Sequence, residues 1–339
     1  MKTLLFSVLL FTSSALTAQY ADLLKNPDIT WIGEHTTDFN FCPNDGGKNK
    51  PNSATLVKFS NTKAHSGFYS NGSADLCNWL DERLVADLPN GIYECFDDER
   101  LTRKLSREAL IDRVTQTDTI VAFDPETYAE TTRFVRNSLD FEKVEAWRAR
   151  MVYYFDNKTK TFGARLLAFA PVVAGSPIVW AKAPVQPGSF DDFLQSGDVA
   201  YAMETKMLGN APASSDFSIK KGQSEIRRML FDVTANPSSV CLSGSNFQPI
   251  SRSQLDKMIN SRDTVVTYDP ATRQEKTQIV GHALSAEGIS SVRFVHLWFY
   301  NEKSRQLCCR LTGVAPMVDV RNTEGVFRFR KPVYYLVCK

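Results

Sequence analysis

The residues able to do acid–base or nucleophilic chemistry are few and scattered. There are four histidines: His35, His65, His282 and His296. The spacing puts His35 at the end of a strand, His65 in a long polar loop, and His282 and His296 on strands. None of these positions pairs a base with a nucleophile. No G-x-S-x-G, H-E-x-x-H or P-loop string occurs, and no glycine-rich cradle for phosphate. The seven cysteines are Cys42, Cys77, Cys95, Cys241, Cys308, Cys309 and Cys338. They show no zinc-ligand spacing and no C-x-x-C, so buried thiols with one or two bridges are expected. Cys308 and Cys309 are strand neighbours pointing to opposite faces, which argues against a bond between them. The residues therefore imply no catalytic set, no metal and no cofactor.

The polar residues that remain recur in pairs. From Ser106 to Val173 the chain matches Ser251 to Val318 without a gap, at a constant offset of 145, with 21 identities in 68 positions. Such unbroken register reads as an internal duplication. Shared polar pairs are Arg107/Arg252, Asp118/Asp263, Asp124/Asp269, Glu130/Glu275, Arg148/Arg293, Lys158/Lys303 and Arg165/Arg310. Asp124 and Asp269 precede prolines and build turns, and Lys158 and Lys303 sit at hairpin tips. Arg148, Arg165, Arg293 and Arg310 are the candidates for partner binding, as a basic patch for a carboxylate or acidic partner. The structural explanation, sheet-surface ion pairs with Glu130 or Glu145, outweighs it. His296 stands where the first copy has Met151, which points to a satisfied packing residue.

The elements that hold these residues follow from periodicity. Leu76, Leu80, Leu84 and Leu88 mark a helix, as do Ile226, Met229, Leu230 and Val233. Ser106 and Ser251 are caps of a second short helix in each copy, carrying Leu110 and Leu255 inward. Strands are expected at Asp28–Glu34 and Asp198–Glu204, at Ile92–Phe96 and Ser239–Leu242, at Ile120–Phe123 and Val265–Tyr268, and at Glu130–Leu139 and Glu275–Leu284. An aromatic hairpin follows in each copy. Trp147, Ala149, Met151, Tyr153 and Phe155 alternate on one face, answered by Phe162, Ala164, Leu166 and Ala168. In the second copy Val292, Phe294, His296, Trp298 and Tyr300 face Leu307, Cys309, Leu311 and Gly313. Ala-Pro ends both return strands, and a last strand closes each copy, near Ile178–Trp180 and Pro332–Cys338. The fold class is α+β: two tandem homologous units, each a mostly antiparallel sheet with two short helices packed on one face.

Met1 to Ala18 reads as a secretory signal: Lys2, an apolar run from Leu4 to Phe11, then small residues. Cleavage after Ala18 is favoured, with Ala15 the alternative. No cysteine follows closely enough for a lipid anchor, and no later run is long and apolar enough to span a bilayer. Residues 40–73 carry turn chemistry without periodicity and read as a long surface loop. The net charge of +2 argues against nucleic acid as the main partner.

Several strings occur in the order in which one family has them. They are DITWIGE and DVAYAME, then ECFDDERLTRKLSREAL, the Asp-Pro turn, VRNSL, the hairpins MVYYFDNKTKTFGARLLAFAP and LWFYNEKSRQLCCRLTGVAP, and finally KPVYYLVCK. In these the chain resembles the GldN/PorN family of the type IX secretion and gliding-motility machinery. The resemblance implies a non-enzymatic structural subunit in the periplasm, held to the outer membrane through partners. Those partners would be an outer-membrane lipoprotein, other secretion-machine subunits and further copies of itself. The domain division is then a signal peptide at 1–18, a first GldN-like repeat at 19–188 and a second at 189–339. One such unit is usual in the family; here there are two, and Arg136-Asn137 becomes Gly281-His282. A binding module using a cleft between the repeats for an anionic ligand or peptide is the alternative function, and an exported hydrolase the third.

Overall fold

The computed structural model describes residues 18–39, 74–123, 125–184, 199–207, 217–222, 226–236, 239–244, 248–268, 274–301, 304–322 and 325–338. The expected signal sequence up to residue 17, the expected loop at 40–73 with His65 and Cys42, and most of the expected linker after residue 183 lie outside these residues. So do the side chains of Cys77 and His282.

In chain order, a 3-10 turn (Ala18–Tyr20) leads into α1 (Ala21–Lys25) and β1 (Ile29–Phe39). Then come α2 (Ala74–Asp87), β2 (Cys95–Phe96), α3 (Arg107–Val114), β3 (Thr115–Phe123) and β4 (Glu130–Ser138). The first half closes with β5 (Ala146–Asp156), β6 (Thr161–Val173), β7 (Ser176–Pro177) and β8 (Trp180–Lys182). The second half runs β9 (Val199–Met207), β10 (Ser218–Lys221), α4 (Ile226–Ala235), β11 (Cys241–Ser243), α5 (Arg252–Ile259), β12 (Asn260–Tyr268) and β13 (Glu275–Ala283). It ends with β14 (Ser291–Asn301), β15 (Gln306–Arg321), β16 (Phe327–Pro332) and β17 (Tyr334–Val337).

Two antiparallel sheets carry the body, in the orders β10-β1-β5-β6-β8-β2 and β9-β14-β15-β17-β11. Apart from β10, the second order matches the first, strand for strand. The local geometry matches too. Ser106 and Ser251 each cap a helix by accepting from the backbone N–H three residues on. Leu139 N–H donates to Val114 O at 2.7 Å, and Leu284 N–H to Ile259 O at 2.7 Å. The residue closing each aromatic hairpin turn has positive φ, Lys160 at 55° and Arg305 at 54°. Cys95 and Cys241 also correspond, each with its carbonyl accepting from Leu105 or Ile250. Sequence comparison misses that pair because their offset is 146, one residue outside the constant register. Both are buried free thiols, as are Cys308, Cys309 and Cys338.

The inner faces of the sheets meet in one core. Tyr153 of β5 lies 4.4 Å from Phe294 of β14, and Phe39 of β1 stacks on Trp298 of β14 at 4.5 Å. Leu80, Leu84, Met229, Leu230 and Val233 from α2 and α4 join the same cluster. The sequence reading expected helices to cover one face of each sheet. Instead each sheet covers the other, and the helices contribute to the core between them. The units are not packed separately either: β10, from the second half, pairs on β1. The segment leaves that edge through Gly222, at φ +77°, where a Cβ would sit 2.3 Å from Thr30 O.

Two further expectations are corrected. First, the alternation on the return strands breaks at a bulge, between Arg150 and Met151 in the β5–β6 pairing and between Val295 and His296 in β14–β15. The bulge reverses the side-chain parity. Phe169, not Ala168, faces the inner core, and Val314, not Gly313. Both faces are apolar there, so alternation alone could not reveal the slip. Second, β3–β4 and β12–β13 do not join the sheets; each is a separate two-stranded ribbon. Turn and strand chemistry are local, and neither says whether a third strand pairs alongside.

His296 is fully buried beside Tyr153, Phe294 and Trp298, and neither ring nitrogen has a hydrogen-bond partner. The expectation of a packing residue holds, but the ring is not satisfied. Burial pushes its pKa down to about 3, below the unfolded value. Unfolding therefore takes up a proton, and stability drains away as pH falls from about 6.5 towards 3. At pH 5 this amounts to about 2 kcal/mol. His296→Met, which copies the residue at position 151, should raise stability at pH 5 by that order and flatten the acid limb. Thermal melts at pH 5 and pH 7 measure it. Asp81 works in the opposite sense. Its carboxylate accepts from Trp147 Nε1 at 2.6 Å, but burial lifts its pKa to about 6. The cost is full above that value and vanishes below the unfolded pKa. Asp81→Asn should thus stabilise at pH 7 by ~1–3 kcal/mol and do nothing at pH 3, as urea titrations at the two pH values would read.

Candidate functional site

The polar residues on the outer face of the first sheet come from β1, β5 and β6, because alternate residues of a strand share a face. Arg148 Nε and Nη2 donate to the two oxygens of Asp38 at 2.6 and 2.9 Å. Arg165 Nη1 and Nη2 donate to Asp22 of α1 at 2.8 and 2.6 Å. Between them, Arg150 is buried and reaches Glu34 and, at 2.9 Å, the Glu99 carbonyl. Glu34 also accepts from the Tyr20 hydroxyl and lies 3.9 Å from Lys220 Nζ of β10.

Charge and burial shift these groups as expected. The Arg165 guanidinium holds the Asp22 carboxyl below its usual range, and Asp38 raises Arg148 further. Burial, then the Glu34 carboxylate, pushes the Tyr20 hydroxyl far up, so it stays a donor. The cluster fastens the segment Gln19–Lys25 to the sheet, with Tyr20 and Leu23 packed on Ile32, Val152 and Leu167.

On the other sheet, Arg293 Nη1 donates to the Tyr335 hydroxyl at 3.0 Å, while its Nε is buried without a partner. Arg310 lies on β15, across from Leu297. The four arginines singled out from the sequence therefore divide between two outer faces that point away from the packed interface. They do not converge on a cleft. Arg148 and Arg165 use Asp38 and Asp22, not the acids expected; Glu145 instead accepts from Gly175 N–H at 3.0 Å. Arg150 escaped sequence reasoning because the constant offset of 145 puts Val295 at that place.

A second polar junction ties the halves together. Asp87, at the end of α2, is fully buried and accepts from the Tyr300 hydroxyl at 2.5 Å and pairs with Arg305. The Tyr93 hydroxyl donates to Arg305 O at 2.8 Å and accepts from Leu307 N–H at 3.0 Å. These groups satisfy one another; they hold the β14–β15 turn against the first half. Among the described residues, no group of three or more His, Cys, Asp or Glu could hold a metal ion. No described helix is long and apolar enough to cross a membrane.

What remains exposed and unusual is apolar. On β3–β4, Phe123 is 62% exposed and Phe134 74%, with Ile120, Val121 and the turn residue Tyr128 also open. At the far end of β15–β16, Val326, Phe327 and Phe329 are exposed as well.

Residues 60–192 match a family model described as "Gliding motility associated protein GldN". The match runs from before α2 to beyond β8. It leaves β1 and most of the second half uncovered. Over that stretch the chain is similar to the GldN family. No curated protein and no solved structure matches the chain.

The Glu34 cluster is a structural anchor, and its energetics can be checked. Glu34→Ala leaves the buried Arg150 charge unpaired and should cost ~3–5 kcal/mol. Asp38→Asn, on the more open Arg148 pair, should cost no more than ~1 kcal/mol. Urea unfolding of the two variants beside the parent measures the difference.

Proposed function

We propose that this chain is an exported, non-catalytic assembly subunit of the gliding-motility and type IX secretion machinery. It acts in the periplasm after removal of the signal peptide. It is built as a tandem duplication of one GldN-like unit, and it docks on an outer-membrane lipoprotein and other subunits of the machine.

The observation that carries this reading is where the family match falls. Residues 60–192 span the first half from α2 to β8, without β1. The sheet order, helix caps, bulge and turn geometry of that unit recur 145 residues later. The polar groups support a structural role. His296 is sealed in the core with no carboxylate beside it, and Asp87, Glu34 and Arg150 are each engaged in fastening one part of the chain to another. The alternative, an anionic-ligand cleft between the repeats, is weakened by the aromatic packing that fills the space between the sheets.

Affinity purification of the full chain from its native envelope tests the reading. An outer-membrane lipoprotein should come down with it and survive a high-salt wash. Elution as a lone protein, with no envelope association, would overturn the proposal.

A further inference from the structure

The outer face of the first sheet is covered by the chain that leads into it. Ahead of β1, Tyr20 and Leu23 pack on Ile29, Ile32, Val152 and Leu167. Asp22 accepts from two nitrogens of the Arg165 guanidinium. The buried Tyr20 hydroxyl donates to Glu34, which also holds Arg150. Gln19 Nε2 adds a bond to Leu167 O at 3.1 Å.

The second sheet presents the same ground. β9 pairs on β14 in the register that β1 takes on β5. Trp31 opposes Phe155 as Tyr201 opposes Tyr300, and Glu34 opposes Val152 as Glu204 opposes Leu297. The pairing therefore fixes an offset of 170 between β1 and β9. Arg310 stands opposite Leu297 as Arg165 stands opposite Val152. Thr312 takes the place of Leu167 at the bulge. It is 3% exposed, and its hydroxyl is spent on Val295 O at 3.1 Å. Val295, in the place of Arg150, is fully buried.

Residues 185–198 lie outside those described, but their sequence matches the covering segment. Counting back from β9 at the offset of 170, Phe190 answers Tyr20, Asp192 answers Asp22, Phe193 answers Leu23 and Leu194 answers Leu24. Ser196 to Asp198 separate the stretch from β9 as Asn26 to Asp28 separate Lys25 from β1. The differences are correlated as well. The first half has a hydroxyl on Tyr20 and a guanidinium on Arg150; the second has Phe190 and Val295, apolar at both places. The acid–arginine pair is kept, as Asp192 and Arg310.

We propose that residues 189–195 dock on the outer face of the second sheet, with Asp192 across the Arg310 guanidinium and with Phe190 and Phe193 over Val295 and Thr312 at the bulge. This docking rests on the tandem reading of the chain. Each half is then covered on the outside by its own leading segment and on the inside by the other half. Arg310, like Arg165, is committed within the chain, so a partner's carboxylate has to be met elsewhere.

Hydrogen exchange and urea unfolding of the mature chain test it. In the parent, the backbone amides of 190–195 should exchange at least about tenfold more slowly than in an unstructured chain. Asp192→Arg and Arg310→Asp should each lower the folding equilibrium constant by about two- to fivefold, and the double variant should recover most of that loss. Phe190→Ala should lower the constant by about tenfold or more and release the protection of 190–195. Gln186→Ala, ahead of the segment, should change neither. Exchange of 190–195 at the unprotected rate overturns the proposal, and that measurement needs no variant to fold. Losses that simply add in the double variant overturn it too. Either failure leaves the tandem reading standing, since the matched registers of β1 and β9 do not depend on this segment.

Discussion

The structure depends on the contact between the inner faces of its two sheets. The helices add leucines, valines, an isoleucine and a methionine to the same core. Aromatic rings do most of the closing: Tyr153 on Phe294, Phe39 on Trp298, and Phe217 edge-on to Trp31 and Tyr153. Each large side chain buried in this way stabilises the fold by roughly 1.5–3 kcal/mol, and each well-placed ring pair adds about 0.5–1.5 kcal/mol. With the space between the sheets filled by rings, the polar side chains are left to the outer faces and the margins. There they act as fasteners. Tyr20, Glu34 and Arg150 hold the N-terminal segment, while Asp87, Tyr300 and Arg305 hold a turn.

Much of this was legible in the sequence, and the reason is periodicity. The aromatic hairpins have strict alternation over long stretches, and their strands, turns and inward faces follow directly. The serine caps and the leucine spacing of α2 are equally local signals. The constant offset of 145 identified matching positions, and placing Arg148 and Arg165 opposite the aromatic stripe was enough to read them as ion-paired surface residues. Their partners were not legible. Asp38 and Asp22 are far from them in the chain, and only the folded sheet brings them near.

The misreadings share a cause. A bulge inserts one residue without changing composition, so Leu167 and Ala168 look like a continuation of the pattern. The β3–β4 and β12–β13 ribbons have the hydrophobicity of core strands, and no local feature distinguishes a strand with neighbours from one without. The Cys95/Cys241 correspondence was lost to a single-residue offset. Arg150 and Glu34 form the most buried ion pair on the outer face, yet copy comparison could not find Arg150, because the second unit has valine there. Positions that differ between the halves hold the specific contacts, and positions they share hold the fold.

The pairing of β10 on β1 bears on the order in which the molecule can be completed. A chain that emerges from its N-terminus presents β1, β5 and β6 early, while Ser218–Lys221 arrives only after the whole first half. Until then the outer edge of β1 offers unmatched backbone donors and acceptors along Ile32–Glu34, and Glu34 lacks its neighbour Lys220. An edge strand left in that state is open to pairing with another chain. The second half both covers that edge and supplies the opposing sheet, so the two halves are tied by backbone pairing as well as by their core.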